Sequence, residues 1–260
     1  MFSAMNIPIR DWRQQRIWFI GASSGIGAAL ARYALSAGAD VIISARRVER
    51  LHQVAAAHPS AHVVPLDVLD VDAWSVAYRH ILDQIGTIDL IVFCAANYRP
   101  ERSWEVDPVV AESTLRINLG SIYTGLATIL PDMLSRGHGG IALIASIAGY
   151  MGLPNASVYG PSKAALINLS EILYSDLHPK GLNVYLINPG FVKSELTDKN
   201  TFPMPGLQTP EQAAHVIWAG ISAGRFEIHF PRRVTQVMKL LQLLPYRLRF
   251  ALFTRFLKIS

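Results

Sequence analysis

Ile17-Trp18-Phe19-Ile20-Gly21-Ala22-Ser23-Ser24-Gly25-Ile26-Gly27-Ala28-Ala29-Leu30-Ala31 runs from four consecutive apolar residues through a glycine-rich turn into an alanine-rich segment. The apolar run suits a strand buried on both faces, and the alanines suit a helix. Glycines let the backbone turn tightly and approach a ligand, while a helix start presents amide groups to an anion. Gly21, Ser23, Ser24, Gly25, Ile26 and Gly27 are therefore a candidate cradle for a pyrophosphate. The spacing is Gly-x-x-x-Gly-x-Gly, which departs from the general dinucleotide pattern Gly-x-Gly-x-x-Gly. An ordinary tight turn is the plain alternative.

Outward from this stretch the same rhythm recurs. Strand-like runs are expected at 41–45, 62–66, 90–95, 141–145, 182–187 and 226–230, with helical segments between them. Such alternation argues for a parallel α/β sheet covered on both faces, and 260 residues suffice for one sizeable core. There is no internal repeat, low-complexity tract or Pro/Gly/Ser-rich linker in the sequence.

A second stretch, Tyr159-Gly160-Pro161-Ser162-Lys163, places a phenol and an ammonium four residues apart, on one face of a helix. A free phenol has a pKa of about 10, and a nearby cation lowers it by favouring the phenolate. Lys163 is expected to do this for Tyr159. Tyr-x-x-x-Lys is common by chance, and a solvated helix face is the plain reading of an isolated pair. Pro161 belongs within or just beyond a helical first turn, which puts the helix start near 155–157.

In order and separation, the glycine loop, Asn118, Ser146, Tyr159 and Lys163 resemble the short-chain dehydrogenase/reductase family over roughly residues 15–230. The resemblance implies a doubly wound, three-layer Rossmann-type parallel sheet and a nicotinamide-dependent oxidoreductase. It implies Tyr159 as acid-base, Lys163 as its electrostatic partner, Ser146 as substrate polariser and Asn118 as a relay element. The expected reaction interconverts a carbonyl and an alcohol, with Tyr159 donating the proton in the reducing direction. Ser146 follows the apolar run 141–145, where the carboxyl end of a parallel strand faces a ligand crevice. Asn118 lies in a long helical pattern at 108–134, where an amide facing the site could hold a kink or a water.

Cofactor choice is read at the end of the second strand. A carboxylate there suits the ribose of NAD, and an arginine suits the extra phosphate of NADP. The run 41–45 ends in Arg46-Arg47, so NADP(H) is expected, with Arg46 the first choice for the phosphate and Arg47 the second. Asp67 matches the family position at the adenine, followed by Val68, and could instead cap a helix beginning near Val71. Ala95, Pro189, Gly190, Val192 and Ser194 complete the expected cofactor contacts, together with Asn118, Tyr159 and Lys163. Two departures stand out: Cys94-Ala95-Ala96-Asn97 replaces the family's Asn-Asn-Ala-Gly, and Ile20 stands where threonine is usual. Asparagine tolerates the left-handed backbone that a glycine at position 97 would allow.

The single cysteine, Cys94, excludes an intrachain disulfide and reads as a small apolar filler. The eight histidines lack metal-ligand spacing, so no metal is expected. Residues 1–15 carry Arg10, Asp11 and Arg13 without a continuous apolar core, unlike a secretory signal.

The charge is uneven. Residues 231–260 hold seven Lys/Arg and no Asp/Glu, giving +7, whereas the remainder sums to −2. The organisation expected is a catalytic domain at 1–230 and a basic extension of two amphipathic helices at 231–260, broken by Pro245. Such helices suit the interface of an anionic membrane, or packing on the body or a second subunit. Nucleic acid is not expected, because the aromatics sit in an aliphatic stripe without a recognition motif. A cytoplasmic protein, free or peripheral on a membrane's cytoplasmic face, and a homo-oligomer follow as expectations. Leu196, Phe202, Pro203, Met204, Pro205 and Leu207, with Tyr150, Met151 and Leu153, favour a hydrophobic substrate. A cofactor-binding sensor or scaffold without turnover is the alternative function, and an epimerase or dehydratase a third.

Overall fold

The structure, a computed structural model, describes residues 4–13 and 15–256. Of the segments read above, residues 1–3, Gln14 and residues 257–260 lie outside the described residues, as do the side chains of residues 253–256.

The elements alternate as β1 (Arg16–Ile20), α1 (Gly25–Ser36), β2 (Asp40–Ser44), α2 (Val48–Ala55), β3 (Ala61–Val63), α3 (Val71–Gln84) and β4 (Leu90–Phe93). They continue as α4 (Pro108–Leu115), α5 (Ser121–Arg136), β5 (Gly139–Ile144), α6 (Tyr159–Leu177), β6 (Leu182–Pro189), α7 (Pro210–Ser222), β7 (Glu227–Phe230), α8 (Arg232–Gln242) and α9 (Tyr246–Phe256). All seven strands are parallel, in the order β3-β2-β1-β4-β5-β6-β7. The three-layer α/β fold expected from the sequence is the one observed.

Strand periodicity explains the layers. Ile17 and Phe19 of β1 face one core with α1, α2 and α7, whereas Trp18 and Ile20 face the other with α3, α5 and α6. Both faces are covered, so the strand reads as an unbroken apolar run. The Trp18 indole donates to Ser44 Oγ at 2.8 Å, and that hydroxyl donates to the Val64 carbonyl at 2.5 Å, so the polar atoms buried here are paired.

Local chemistry sets several boundaries differently from the sequence reading. Asp70, not Asp67, caps α3, accepting from the amides of Asp72 and Ala73. The helical pattern at 108–134 divides around a π-helical segment, Arg116–Gly120, which contains Asn118. α6 starts at Tyr159 rather than at 155–157, although the amides of Gly160 and Ser162 bond back to Ala156 and Val158. Pro161 lies in its first turn, where the missing amide costs least.

The two tail helices form as expected, separated at Pro245. α8 buries Thr235 and Met238 against the body, and Lys239 pairs with Glu227 of β7. Val234, Met238 and Leu241 pack with Ile147, Tyr150, Met151 and Leu153 in a third apolar cluster.

Candidate active site

The strand order reverses between β1 and β4, and the carboxyl ends of parallel strands at such a point frame a ligand crevice. Here the chain turns at Gly21, whose φ is +88°. Its amide and that of Ala22 donate to the Ser44 carbonyl at 2.7 and 3.1 Å. A β-carbon on Gly21 would stand 2.5 Å from the backbone nitrogen of Ala95, so only glycine lets the β1 and β4 ends meet. At Gly27 a β-carbon would come within 2.5 Å of the Gly21 carbonyl oxygen, so this position seats α1 against the turn. Ser24 is the N-cap of α1 but makes no side-chain cap bond, and the first turn holds no acidic residue. The helix's opening amides therefore remain suited to an anion.

A cavity of about 1720 Å³ extends from this cradle to α8 and α9. Every expected cofactor or catalytic residue except Asn118 lines it, from Gly21 and Ser23–Gly27 through Arg46, Arg47, Asp67 and Val68 to Ala95, Ser146, Tyr159, Lys163, Pro189, Gly190, Val192 and Ser194. Asn118 is fully buried behind the wall. Its Oδ1 accepts from the Asn97 amide at 2.7 Å, and its Nδ2 donates to the Asn97 carbonyl and to Ser162 Oγ, each at 3.0 Å. Asn118, expected among the cofactor contacts, thus stands outside the cavity lining. Its amide is consumed in tying the loop after β4 to the first turn of α6. Asn97 is not left-handed, as a glycine substitute would have been; its side chain donates to Thr114 and accepts from the Tyr98 amide.

At the reacting end, Lys163 is 2 % exposed, and its Nζ lies 5.5 Å from the centre of the Tyr159 ring. Burial pushes the Tyr159 phenol up to about 12, opposed by the adjoining Ser146 hydroxyl and reinforced by Tyr98. Burial also pushes the Lys163 ammonium down to about 8, opposed by Cys94. The lowering expected of Lys163 is not seen at this distance: burial is the largest influence on the phenol, and the Ser146 hydrogen bond is what opposes it. At neutral pH the pair is a protonated phenol beside an ammonium, a state able to donate a proton. Burial raises the Cys94 thiol to about 12, which suits a small apolar filler better than a nucleophile.

At the opposite end, the Arg47 guanidinium donates to Ser23 Oγ at 3.2 Å, to Ser24 Oγ at 3.1 Å and to Glu195 at 2.9 Å. Glu195 also pairs with Arg50, and the Arg50 and Arg47 guanidiniums hold its carboxyl below the usual range. Arg46 lines the same wall, but Arg47 is the arginine tied to the cradle. Asp67 lines it too, its carboxylate accepting from the Leu69 amide at 3.1 Å.

A family profile described as short chain dehydrogenase matches residues 15–203. The chain belongs to the short-chain dehydrogenase family. It is 33% identical over 229 residues to a Myxococcus xanthus protein called an uncharacterized oxidoreductase, covering 86% of this chain and 90% of that one. A solved short-chain dehydrogenase from Streptomyces avermitilis superimposes with a TM-score of 0.80 at 25% identity, over 95% of this chain and 97% of that chain. The fold also matches a short-chain dehydrogenase/reductase from Burkholderia phymatum, solved in complex with NAD. There the TM-score is 0.80 and the identity 20%, over 89% of this chain and 94% of that chain. The protein is accordingly an oxidoreductase of a family that uses a nicotinamide cofactor, and the uncapped α1 start and the close-packed Gly21 turn fit such a dinucleotide.

Within this short-chain dehydrogenase, three features of the site escaped the sequence reading. Tyr98 packs edge-on against Tyr159 with ring centres 4.8 Å apart, and its hydroxyl donates to Asn200 Oδ1 at 2.7 Å. Lys199 donates to the Tyr98 carbonyl at 2.8 Å, so the turn Thr197–Lys199 is latched to the loop after β4. Glu195 faces Arg47 across the cleft, and Val234, Met238, Leu241 and Leu252 complete the apolar wall. Tyr98 directly follows the departed Cys94–Asn97 motif, a signal that could have marked it.

Proposed function

We propose that this chain is an NADP(H)-dependent oxidoreductase that interconverts a carbonyl and an alcohol on a hydrophobic substrate, with Tyr159 as acid-base. The observation that carries this reading is the convergence of Ser146, Tyr159 and Lys163 on one cavity with the glycine cradle. When bound, the nicotinamide would supply or accept the hydride. Gly21–Gly27 and the α1 amides would hold its pyrophosphate, Arg47 and Arg46 a phosphate on the adenosine ribose, and Asp67 and Val68 the adenine side. Pro189, Gly190, Val192 and Ser194 would border the nicotinamide.

In the reducing direction the Tyr159 hydroxyl donates its proton to the carbonyl oxygen, and the Ser146 hydroxyl donates a hydrogen bond to that oxygen. The Lys163 ammonium then stabilises the phenolate left behind. Asn118 acts one step removed, by holding Asn97 and Ser162 in place.

A hydrophobic substrate is supported by the wall of Leu153, Phe202, Met204, Met238 and Leu241 at the reacting end. Residues 1–230 would carry the catalytic fold and 231–260 the extension that closes this end, in a cytoplasmic homo-oligomer. The test is consumption of NADPH and NADH with a panel of lipophilic ketones and aldehydes, for wild type and Tyr159→Phe. Turnover with NADPH that the variant loses while retaining cofactor binding supports the reading. Binding without turnover in wild type moves it to the sensor alternative.

A further inference from the structure

α8 carries more apolar surface than its seat on the body requires. Val234, Met238 and Leu241 face inward along the cavity, which is the single stripe a covering helix needs. Val237, Leu240 and Leu243 follow one another at three-residue steps on the other side, exposed by 55, 65 and 80%. Leu248 of α9 is also exposed, at 56%. Val237 also lines the cavity, as does Leu252 of α9, so the inner apolar wall continues into the outer patch.

The charge of this segment has one sign. Residues 231–260 contain seven Lys/Arg and no Asp/Glu. Lys239 is spent on Glu227, and the Arg249 guanidinium lies 4.5 Å from the centre of the Tyr246 ring. Arg232, Arg233 and Arg247 stand exposed on α8 and α9. Scattered exposed leucines need no explanation, but a stepped apolar face on helices that carry exposed arginines marks an interaction surface.

We infer that α8 and α9 dock this face on an anionic lipid bilayer, and that the substrate enters the cavity from the bilayer past Val237 and Leu252. The inference rests on the proposed reading of the cavity as a site for a hydrophobic carbonyl or alcohol. Charge complementarity selects the occupant: acidic headgroups neutralise the arginines, whereas a second copy meeting this face would bring like charges together. No described helix is long and apolar enough to cross a membrane, and two short basic amphipathic helices suit the interfacial plane.

The test uses the full chain, co-sedimented with phosphatidylcholine vesicles with and without phosphatidylglycerol, comparing wild type with Leu240→Glu/Leu243→Glu. Both leucines are exposed and neither lines the cavity, so turnover of NADPH with a short water-soluble carbonyl should be unchanged. The expected result is binding to the anionic vesicles that the double variant weakens by about tenfold or more. Its KM for a long-chain ketone embedded in those vesicles should rise in parallel. Absence of wild-type binding overturns the inference, as does binding that the double variant retains. A dimer that the double variant dissociates, with no vesicle binding, assigns the face to a second copy and also overturns it. Loss of all turnover on soluble carbonyls in wild type would instead sink the proposed function, a result read independently of sedimentation.

Discussion

Lys163 Nζ donates to the carbonyl oxygen of Ile144 at 2.8 Å, so the cation of the site is anchored to the end of β5. The bond offsets part of the cost of burying an ammonium and leaves the charge beside Tyr159. Lys163→Met would remove both the charge and that cost. Its thermal midpoint should stay near that of wild type, because loss of the desolvation penalty balances the unpaired Ile144 carbonyl. Its kcat should fall by roughly 10²–10⁴, the usual scale of acid-base assistance. Thermal denaturation and single-turnover kinetics check the two parts separately.

The pH dependence has a sign in each direction. Lys163 loses its proton as pH rises through about 8, while Tyr159, at about 12, stays protonated. Carbonyl reduction should therefore be flat near neutrality and decline above about 8. Alcohol oxidation needs the phenolate as base, so its rate should climb with pH toward the Tyr159 value. Rate profiles in both directions at constant ionic strength test this, and a reduction rate that rises above pH 8 would contradict the assignment.

Arg47 and Glu195 predict cofactor preference. Arg47→Ala removes a charged donor beside Ser23 and Ser24 and should weaken NADPH binding by about 1.5–3 kcal/mol, with little change for NADH. Glu195→Gln relieves Arg47 of a competing carboxylate and should tighten NADPH modestly. Calorimetric titration of both cofactors would show it. Equal losses for NADH and NADPH in Arg47→Ala would remove this arginine from phosphate recognition.

Tyr98→Phe keeps the ring edge against Tyr159 but deletes the hydroxyl that holds Asn200. The loss should cost about 0.5–1.5 kcal/mol of stability and loosen the turn Thr197–Lys199. We expect KM for the substrate to rise severalfold with kcat nearly unchanged. A fall in kcat at constant KM would instead make Tyr98 a direct participant.

Gly21→Ala combines a left-handed φ of +88° with a β-carbon 2.5 Å from the Ala95 nitrogen. Backbone on both sides prevents relief, so the variant should lose several kcal/mol, roughly the upper range for point changes, and with it cofactor binding. Urea denaturation measures the first effect and fluorescence titration with NADPH the second.

The sequence by itself determined the sheet, the glycine turn and the spacing from Ser146 through Tyr159 to Lys163. Those features are local: apolar runs, turn glycines and a helical four-residue step carry their own geometry. Tertiary structure alone decided what happens where distant segments meet. Asn118 was read as a cofactor contact, and its side chain, in a π-helical segment, bonds to Asn97 and Ser162, which lie far from it in sequence. Arg47 met Glu195, and Tyr98 met Asn200, across about a hundred residues or more of chain. Burial, set by the whole cleft, pushes the Tyr159 phenol up, an influence that the four-residue step to Lys163 does not carry. Likewise the amphipathic tail was legible as two helices, but only packing showed which stripe closes the cavity and which faces outward.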